Sequence, residues 1–490
     1  MSFELTTLGE YARVQGGYAY KSKDFSGAGT CSVLKIKNVR FGTVDYSEVS
    51  FISEEIANET TDWKTEEGDI LISMTGSGPN APQSLVGRVA RVWAGEPEAW
   101  INQRVGRVVI KNGGSIHPDF LFYLLSSPRS QDYLVSNSSG SANQANINGK
   151  TIESLPCPKV NFDESFKIAK ILRELDQKII LNRQTNQTLE HIAQAIFKSW
   201  FVDFEPTRAK IIVKQKGGNE LAQELAAQAV ICGAITLHKL AELENGVLGI
   251  EKELHPLITK RFPNEGGFDF WQPQLLTTIA ALFPNSLVDS ELGEVPEGWS
   301  IESIYDISDV IYGAAFKSKL FNENDDGLPL VRIRDLKHER PGVSTPEIHK
   351  KGYLIQNGDL LVGMDGEFRP YIWGGNGAWM NQRVCAFKPK KGLSAALIRG
   401  FISHQLRFFE LTAVATTVIH LGKSDIDGFS YLEPNNELLS VCSDFLEPIF
   451  QRVIANKTEC ISLEEARNAL LPKLLSGELT TATTEKAKHV

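Results

Sequence analysis

Two things missing from this 490-residue chain narrow what it can be: a long apolar run and an excess of basic charge. No stretch reaches the ~18 consecutive apolar residues of a membrane-spanning helix. The opening MSFELTTLGE lacks the apolar core of a secretory signal, so a cytoplasmic protein is expected. Cysteine is scarce. Cys31, Cys157, Cys232, Cys385, Cys442 and Cys460 are scattered, without the close pairs of a zinc site or the density of a disulfide framework, and they read as buried reduced thiols. Catalytic signatures are missing too: the chain has no G-x-x-x-x-G-K-S/T, H-E-x-x-H, G-x-S-x-G, paired C-x-x-C or Asn/Asp-Pro-Pro-aromatic methyltransferase motif. No catalytic residue, cofactor or metal is therefore assigned to it. The 60 acidic residues outnumber the 51 basic ones, giving a net charge of −9, against the balance of a simple DNA-binding domain. With 42% hydrophobic and 23% charged residues, the chain is globular and holds two or more domains.

What is present is a sequence that says nearly the same thing twice, over 8–200 and again over 304–474. Lys21-Ser22-Lys23 recurs as Lys317-Ser318-Lys319, Gly68-Asp69-Ile70-Leu71 as Gly358-Asp359-Leu360-Leu361, and Asn102-Gln103-Arg104-Val105 as Asn381-Gln382-Arg383-Val384. The displacement is 296 at the first match, 297 at LKIKNV (34–39) against VRIRDL (331–336), 290 at the second and 279 at the third. Every later anchor gives 274: Ile152 with Ile426, Asn182 with Asn456, Leu189-Glu190 with Leu463-Glu464. A period this long is domain duplication, and variable loops on a constant frame suit a scaffold whose loops choose different targets.

Each copy begins β-rich. CSVLKIKNV, GDILISM and VGRVVI, then PLVRIRDL, GDLLVGM and VCAFKP, are apolar or alternating over strand lengths between turn residues. A helix follows each set, over IHPDFLFYLLSSPRSQDYL (116–134) and LSAALIRGFISHQLRFFELT (393–412), and then a polar loop, 136–150 or 415–423.

Each copy ends in a long helix. Ile168, Ile171, Leu175, Leu189, Ile192 and Ile196 fall on a and d heptad positions, with Leu172 and Ile179 widening the stripe; Phe445, Ile449, Leu463, Ala466 and Leu470 do the same in the second helix. Asn182 and Asn456 interrupt the two seams at equivalent a positions. A polar a residue lowers stability but fixes register, because a slip leaves its amide unpaired. Midpoints coincide only in antiparallel helices, so an intrachain antiparallel coiled coil with Asn182 hydrogen-bonded to Asn456 is expected. A helix of about 35 residues is a bar ~50 Å long, enough to hold two domains more than a DNA turn apart.

Candidate nucleic-acid contacts lie on the strands and loops. Lys21, Lys23, Lys35, Lys37 and Asn38, with Lys317, Lys319, Arg332 and Arg334 in the second copy, are cations and an amide suited to phosphates. The MTGSGP turn at 74–79 lacks the lysine and following helix of a phosphate loop and reads as a strand connection. Its counterpart MDGEFRP keeps only the Met-x-Gly frame, so Thr75 and Ser77 in one copy, and Asp365, Glu367 and Arg369 in the other, are candidates to read different bases. Asn102, Gln103 and Arg104, identical to Asn381, Gln382 and Arg383, point to positioning or scaffold. The polar loops add Asn143, Gln144, Asn146 and Lys150, and Thr417, His420 and Lys423.

The first long helix closes with AIFKSWFVDFEP (195–206) and the second with LLPKLLSGEL (470–479), while SELGEVPEGW (290–299) introduces the second β-rich copy. With the duplication, these phrases resemble the specificity subunit of type I restriction-modification systems over nearly the whole chain. The resemblance implies an α+β, pseudo-twofold fold: target-recognition domains at 1–160 and 290–435, with coiled-coil helices at 161–206 and 436–480. A spacer at 207–289, helical in pattern over 219–243 and otherwise linker-like, and a tail at 481–490 complete the division. It further implies a non-catalytic subunit that reads a bipartite, asymmetric site on double-stranded DNA. Two methyltransferase subunits and restriction/translocase subunits would join it, bringing S-adenosylmethionine, ATP and Mg, with Trp200, Phe201 and Phe204 touching a partner. Two other readings stay open on the residues alone. An enzyme with an unfamiliar site would bind S-adenosylmethionine by itself, and a protein-only scaffold would leave DNA methylation unchanged on deletion.

Overall fold

The computed structural model describes residues 3–78, 85–111, 115–141, 144–243, 247–260, 273–291, 293–337, 339–412 and 419–479. The chain forms two compact units, Met1–Ile179 with Ser462–Val490, and Ile180–Ile461.

Unit 1 is built on a four-stranded antiparallel sheet in the order Ala12–Gly16, Val105–Ile110, Ile70–Ser73, Val89–Arg91. The continuous apolar run at Ile70–Ser73 suits a strand covered on both faces. Ile70 and Ile72 pack with Leu8, Phe120 and Leu121, and Leu71 with Leu34, Ile101 and Val105 on the opposite side. Unit 2 repeats the sheet as Ser308–Tyr312, Val384–Pro389, Leu360–Gly363, Pro370–Ile372. Its register carries the displacements of the sequence: Ile70 faces Val108, and Leu360 faces Phe387, 290 and 279 positions on. A smaller sheet in each unit holds a parallel pair, Val33 beside Trp100 and Leu330 beside Trp379.

All six expected strand segments contain strands, and the first of each copy stops well short of its expected end. Cys31–Leu34 and Leu328–Val331 give way to helical turns at Ile36–Asn38 and Ile333–Leu336. The cause is local. Asn38 Oδ1 accepts from the Lys35 amide at 2.9 Å, and Asp335 Oδ2 from the Arg332 amide at 2.9 Å, each capping a turn in place of a strand bond. The helix expected over 116–134 is two helices, Pro118–Leu125 and Pro128–Ser136, because Pro128 has no N–H to continue the first. Its counterpart is one helix, Ala395–Thr412.

The spacer is more than a linker. Glu205–Gln215, Glu220–Ile231, Leu237–Glu242, Val247–Thr259 and Pro273–Ala281 are helices of unit 2, with Val213, Ala222, Ala226, Leu254, Leu276 and Phe283 buried. Alanines at helical spacing let these helices approach closely, and Lys210, itself buried, donates to Glu224 at 2.6 Å and to the Phe283 carbonyl at 2.7 Å.

The long helices span Phe162–Phe201 and Asn436–Ser476, and their segments run antiparallel within each unit. In unit 1 Arg467 Nη1 donates to Asp176 Oδ1 at 2.6 Å. In unit 2 Asn182 Nδ2 donates to Glu459 Oε2 at 2.7 Å, and Asn186 Nδ2 to the Val453 carbonyl at 3.1 Å. The expected Asn182–Asn456 bond is replaced. Asn456 Nδ2 donates to Asn186 Oδ1 at 2.8 Å, while Asn182 bonds Glu459 and Cys460. Asn186 and Cys460 are themselves 274 apart, so Asn456–Asn186 and Asn182–Cys460 are one contact made twice. The seam is also rotated from the one expected. Leu172, Asp176, Ile179, Asn182, Asn186, Phe197 and Trp200 are buried, whereas Ile192 and Ala466 are exposed. A straight helix drifts by ~20° per heptad against a strict seven-residue count, so a heptad frame carried along its whole length leaves the seam.

Candidate nucleic-acid interface

In each unit three separate segments are brought to one place by the same backbone bonds. The first is the Asn-Gln-Arg loop. Gly17 and Tyr18 donate to the carbonyls of Val105 and Ile101 (2.9 and 3.0 Å), as Gly313 and Ala314 do to those of Val384 and Met380 (3.0 and 3.0 Å). Glycine is required at this crossing: a Cβ on Gly17 would lie 2.2 Å from the Asn102 carbonyl oxygen, and one on Gly313 2.1 Å from that of Asn381. The second segment is the Met-x-Gly turn, with Met74 N donating to Arg104 O at 2.8 Å and Met364 N to Arg383 O at 2.9 Å. The third is the polar loop, where Ile147 N donates to Met74 O at 2.9 Å and Leu421 N to Met364 O at 2.8 Å. Asn146 thereby stands beside Thr75, and His420 beside Asp365.

The side chains on this common frame differ. In unit 1 Thr75 Oγ1 donates to Asn146 Oδ1 at 2.8 Å, and Arg104 Nη1 reaches Thr75 Oγ1 at 3.4 Å. In unit 2 His420 Nδ1 lies 2.6 Å from Asp365 Oδ1; a carboxylate only accepts, so this nitrogen carries the proton. Arg383 Nε lies 3.5 Å from Asp365 Oδ2, and its Nη1 lies 3.1 Å from the His420 ring. One cluster joins a neutral pair to an arginine, the other a carboxylate to two basic groups. Gln103, Arg104, Gln382 and Arg383 are exposed, while Asn102 and Asn381 are half-buried.

The remaining candidates divide by burial and pairing. Lys21, Lys23, Gln144, Lys150, Lys319 and Arg334 are exposed. Lys37 pairs with Glu48 at 3.1 Å, Lys423 with Asp427 at 3.0 Å, and Lys317 lies 3.9 Å from Glu347. Arg332 is held by Asp335 at 3.0 Å; Arg369 is held by Glu410 at 2.8 Å, a bond that raises its pKa, and also lies 3.5 Å from Glu367. Lys35 is half-buried, with Nζ 2.8 Å from Ser50 Oγ and 3.7 Å from the Phe25 ring centre, and burial lowers its pKa. Ser77 bridges to Leu85 through its backbone. Asn143 and Thr417 lie outside the described residues.

Two expectations are corrected. Asn38 is 1% exposed, and its Nδ2 donates to the carbonyls of Asp45 (2.8 Å) and Glu48 (3.0 Å), so its amide is used up in holding the loop. Trp200, Phe201 and Phe204 are buried in the chain's own core, against Phe283 (5.7 Å), Phe401 (5.4 Å) and Trp299 (5.7 Å) between ring centres. They offer no surface to a partner.

Sequence reasoning passed over Tyr18, 38% exposed beside the Asn-Gln-Arg loop, whose carbonyl accepts from Gln103 N at 2.9 Å and whose ring meets Trp63 at 4.9 Å. The glycine pair before it was the available signal. It also passed over Arg88, buried and donating to the carbonyls of Val39, Leu85 and Ile36, which no local pattern announces.

The model of the type I restriction modification DNA specificity domain matches residues 2–191 and 296–451. The chain belongs to this family. It is a DNA-recognition subunit of a type I restriction-modification complex, not its catalyst. The chain is 28% identical over 404 residues to the HindI specificity subunit of Haemophilus influenzae, covering 76% of this chain and 80% of that one. It is 24% identical over 402 residues to the MjaIX specificity subunit of Methanocaldococcus jannaschii, covering 77% and 72%. The crystal structure of a type I S subunit from M. genitalium aligns over 96% of each chain with 12% identity and a TM-score of 0.49. The two matched stretches of this specificity subunit contain the two clusters, and the helical spacer at 207–289 lies between them. Among the described residues no helix is long and apolar enough to cross a membrane, and no group of His, Cys, Asp and Glu is placed to hold a metal ion.

Proposed function

We propose that the chain reads a split, asymmetric DNA sequence, with the β-rich parts 1–160 and 290–435 each taking one half-site. The helical regions 161–206 and 436–480 hold two methyltransferase subunits, and restriction/translocase subunits complete the assembly. S-adenosylmethionine, ATP and Mg belong to those partners, and the complex works in the cytoplasm. One observation carries the reading: an identical backbone frame in the two units presents an Asn-Gln-Arg loop with different neighbours, as two readers of unlike half-sites require. The exposed Lys21, Lys23, Lys150, Lys319 and Arg334 supply charge for phosphates, which fix position without carrying sequence information. The despatch of chemistry to partners agrees with a chain in which sequence shows no catalytic signature.

The test is an exchange of residues 290–435 for the corresponding stretch of another family member, followed by sequencing of methylated DNA from cells that hold the partner methyltransferase. One half of the methylated sequence should change, with the other half retained. A methylated sequence unaltered by the exchange rejects the assignment.

A further inference from the structure

Three segments displaced by 290, 279 and 274 positions meet through the same backbone bonds in both units. Of the three side chains they present, the arginine is common, and the other two change together: Thr75 with Asn146 becomes Asp365 with His420. We infer that Arg104 and Arg383 are common anchors and that the pair beside each arginine decides the base read there, Asn146 taking adenine in unit 1 and Asp365 taking cytosine in unit 2. The inference rests on the DNA-reading function proposed above and deepens it.

The chemistry follows from donors and acceptors. Thr75 fixes the Asn146 amide by donating to Oδ1, and Nδ2 donates to the Gln144 carbonyl at 3.2 Å. Each amide atom keeps one further site, a lone pair on Oδ1 and a hydrogen on Nδ2, which together match the N6 and N7 edge of adenine. Asp365 has no donor to offer. His420 and Arg383 fix its orientation, and a carboxylate so placed selects the amino group of cytosine.

The test uses this chain reconstituted with its partner methyltransferase and a randomised pool of duplex DNA, sequencing what is bound and what is methylated. Asp365→Asn keeps the shape and adds a donor, so one position of one half-site should move from cytosine toward adenine, with a change in preference on the order of tenfold. Asn146→Asp in the other unit should produce the reverse shift in the other half-site. Arg383→Lys should weaken binding while leaving the preferred base alone. Bound sequences identical to those of the unaltered complex, or a shift in both half-sites from one substitution, overturn the inference. The exchange of 290–435 separates the two levels: if it changes a half-site and Asp365→Asn and Asn146→Asp do not, the pair is wrong and the DNA-reading function stands. Should Asp365→Asn fail to assemble, the Asn146→Asp complex decides alone.

Discussion

Asn456 donates its amide to Asn186, 2.8 Å away in the buried seam of unit 2, and the equivalent contact joins Asn182 to Cys460. Equivalence under the 274-residue displacement therefore relates contacts, not partners. Two asparagines related by an antiparallel twofold face each other only if both lie on the axis. Here each stands to one side and meets the neighbour one helical turn beyond its counterpart.

Replacing Asn456 by Ala leaves the Asn186 amide oxygen buried without its donor, at a cost of about 1–3 kcal/mol. The double replacement of Asn186 and Asn456 by Leu should recover most of that loss, since an apolar pair suits the seam. Urea denaturation of Asn186→Leu, Asn456→Leu and the double forms the cycle; additive losses would show that the amides are not coupled.

Asn38→Ala should destabilise unit 1 by about 1–3 kcal/mol, because the Lys35 amide and the Asp45 and Glu48 carbonyls lose their partner together. The preferred DNA sequence should stay the same. A changed target with unchanged melting would return Asn38 to the candidate DNA contacts.

Gly17→Ala and Gly313→Ala each push a methyl into a carbonyl that cannot move aside, which should cost roughly 1–3 kcal/mol and displace the Asn-Gln-Arg loop of the unit concerned. Methylation should fall for either variant. Full activity together with full stability would contradict the close crossing.

Trp200→Ala empties a core position that is 1% exposed and should cost about 3–5 kcal/mol before any partner is added. Thermal melting of the chain alone and of the complex distinguishes the roles. A loss seen only with the partner present would point to an interface after all.

Burial pushes the thiols of Cys157 and Cys385 up to about 12, so on the order of 10⁻⁴ of each is thiolate at pH 8. Neither should react with a thiol reagent until the chain is unfolded, and both should react promptly in denaturant. Rapid native labelling of Cys385, which the structure buries completely, would be incompatible with its place in the sheet.

Much of the fold was legible because it is local. The strand at Val105–Ile110 and the long helices show in hydropathy period, which depends only on neighbours along the chain. Where a side chain caps its own backbone, as Asn38 and Asp335 do, the same apolar run stops early, and the period gives no warning. The helices after 243 escaped notice because Gly249, Pro256 and the Gly/Pro-bearing run that follows read as linker, and their apolar residues find partners only in the packed spacer, whose Phe283 also covers Trp200.

The sequence by itself determined the duplication, the order of strands and helices, and the contrast between sliding displacements in the β-rich parts and a constant 274 in the helices, since these are properties of position along one chain. Only the tertiary structure decided which residues meet. It placed Arg104 with Thr75 and Asn146, and Arg383 with Asp365 and His420; it paired Asn456 with Asn186; and it turned Asn38 and Trp200 inward. Hydrogen bonds and core contacts act over a few ångströms between segments that lie tens to hundreds of residues apart, and no pattern read along the chain measures that distance.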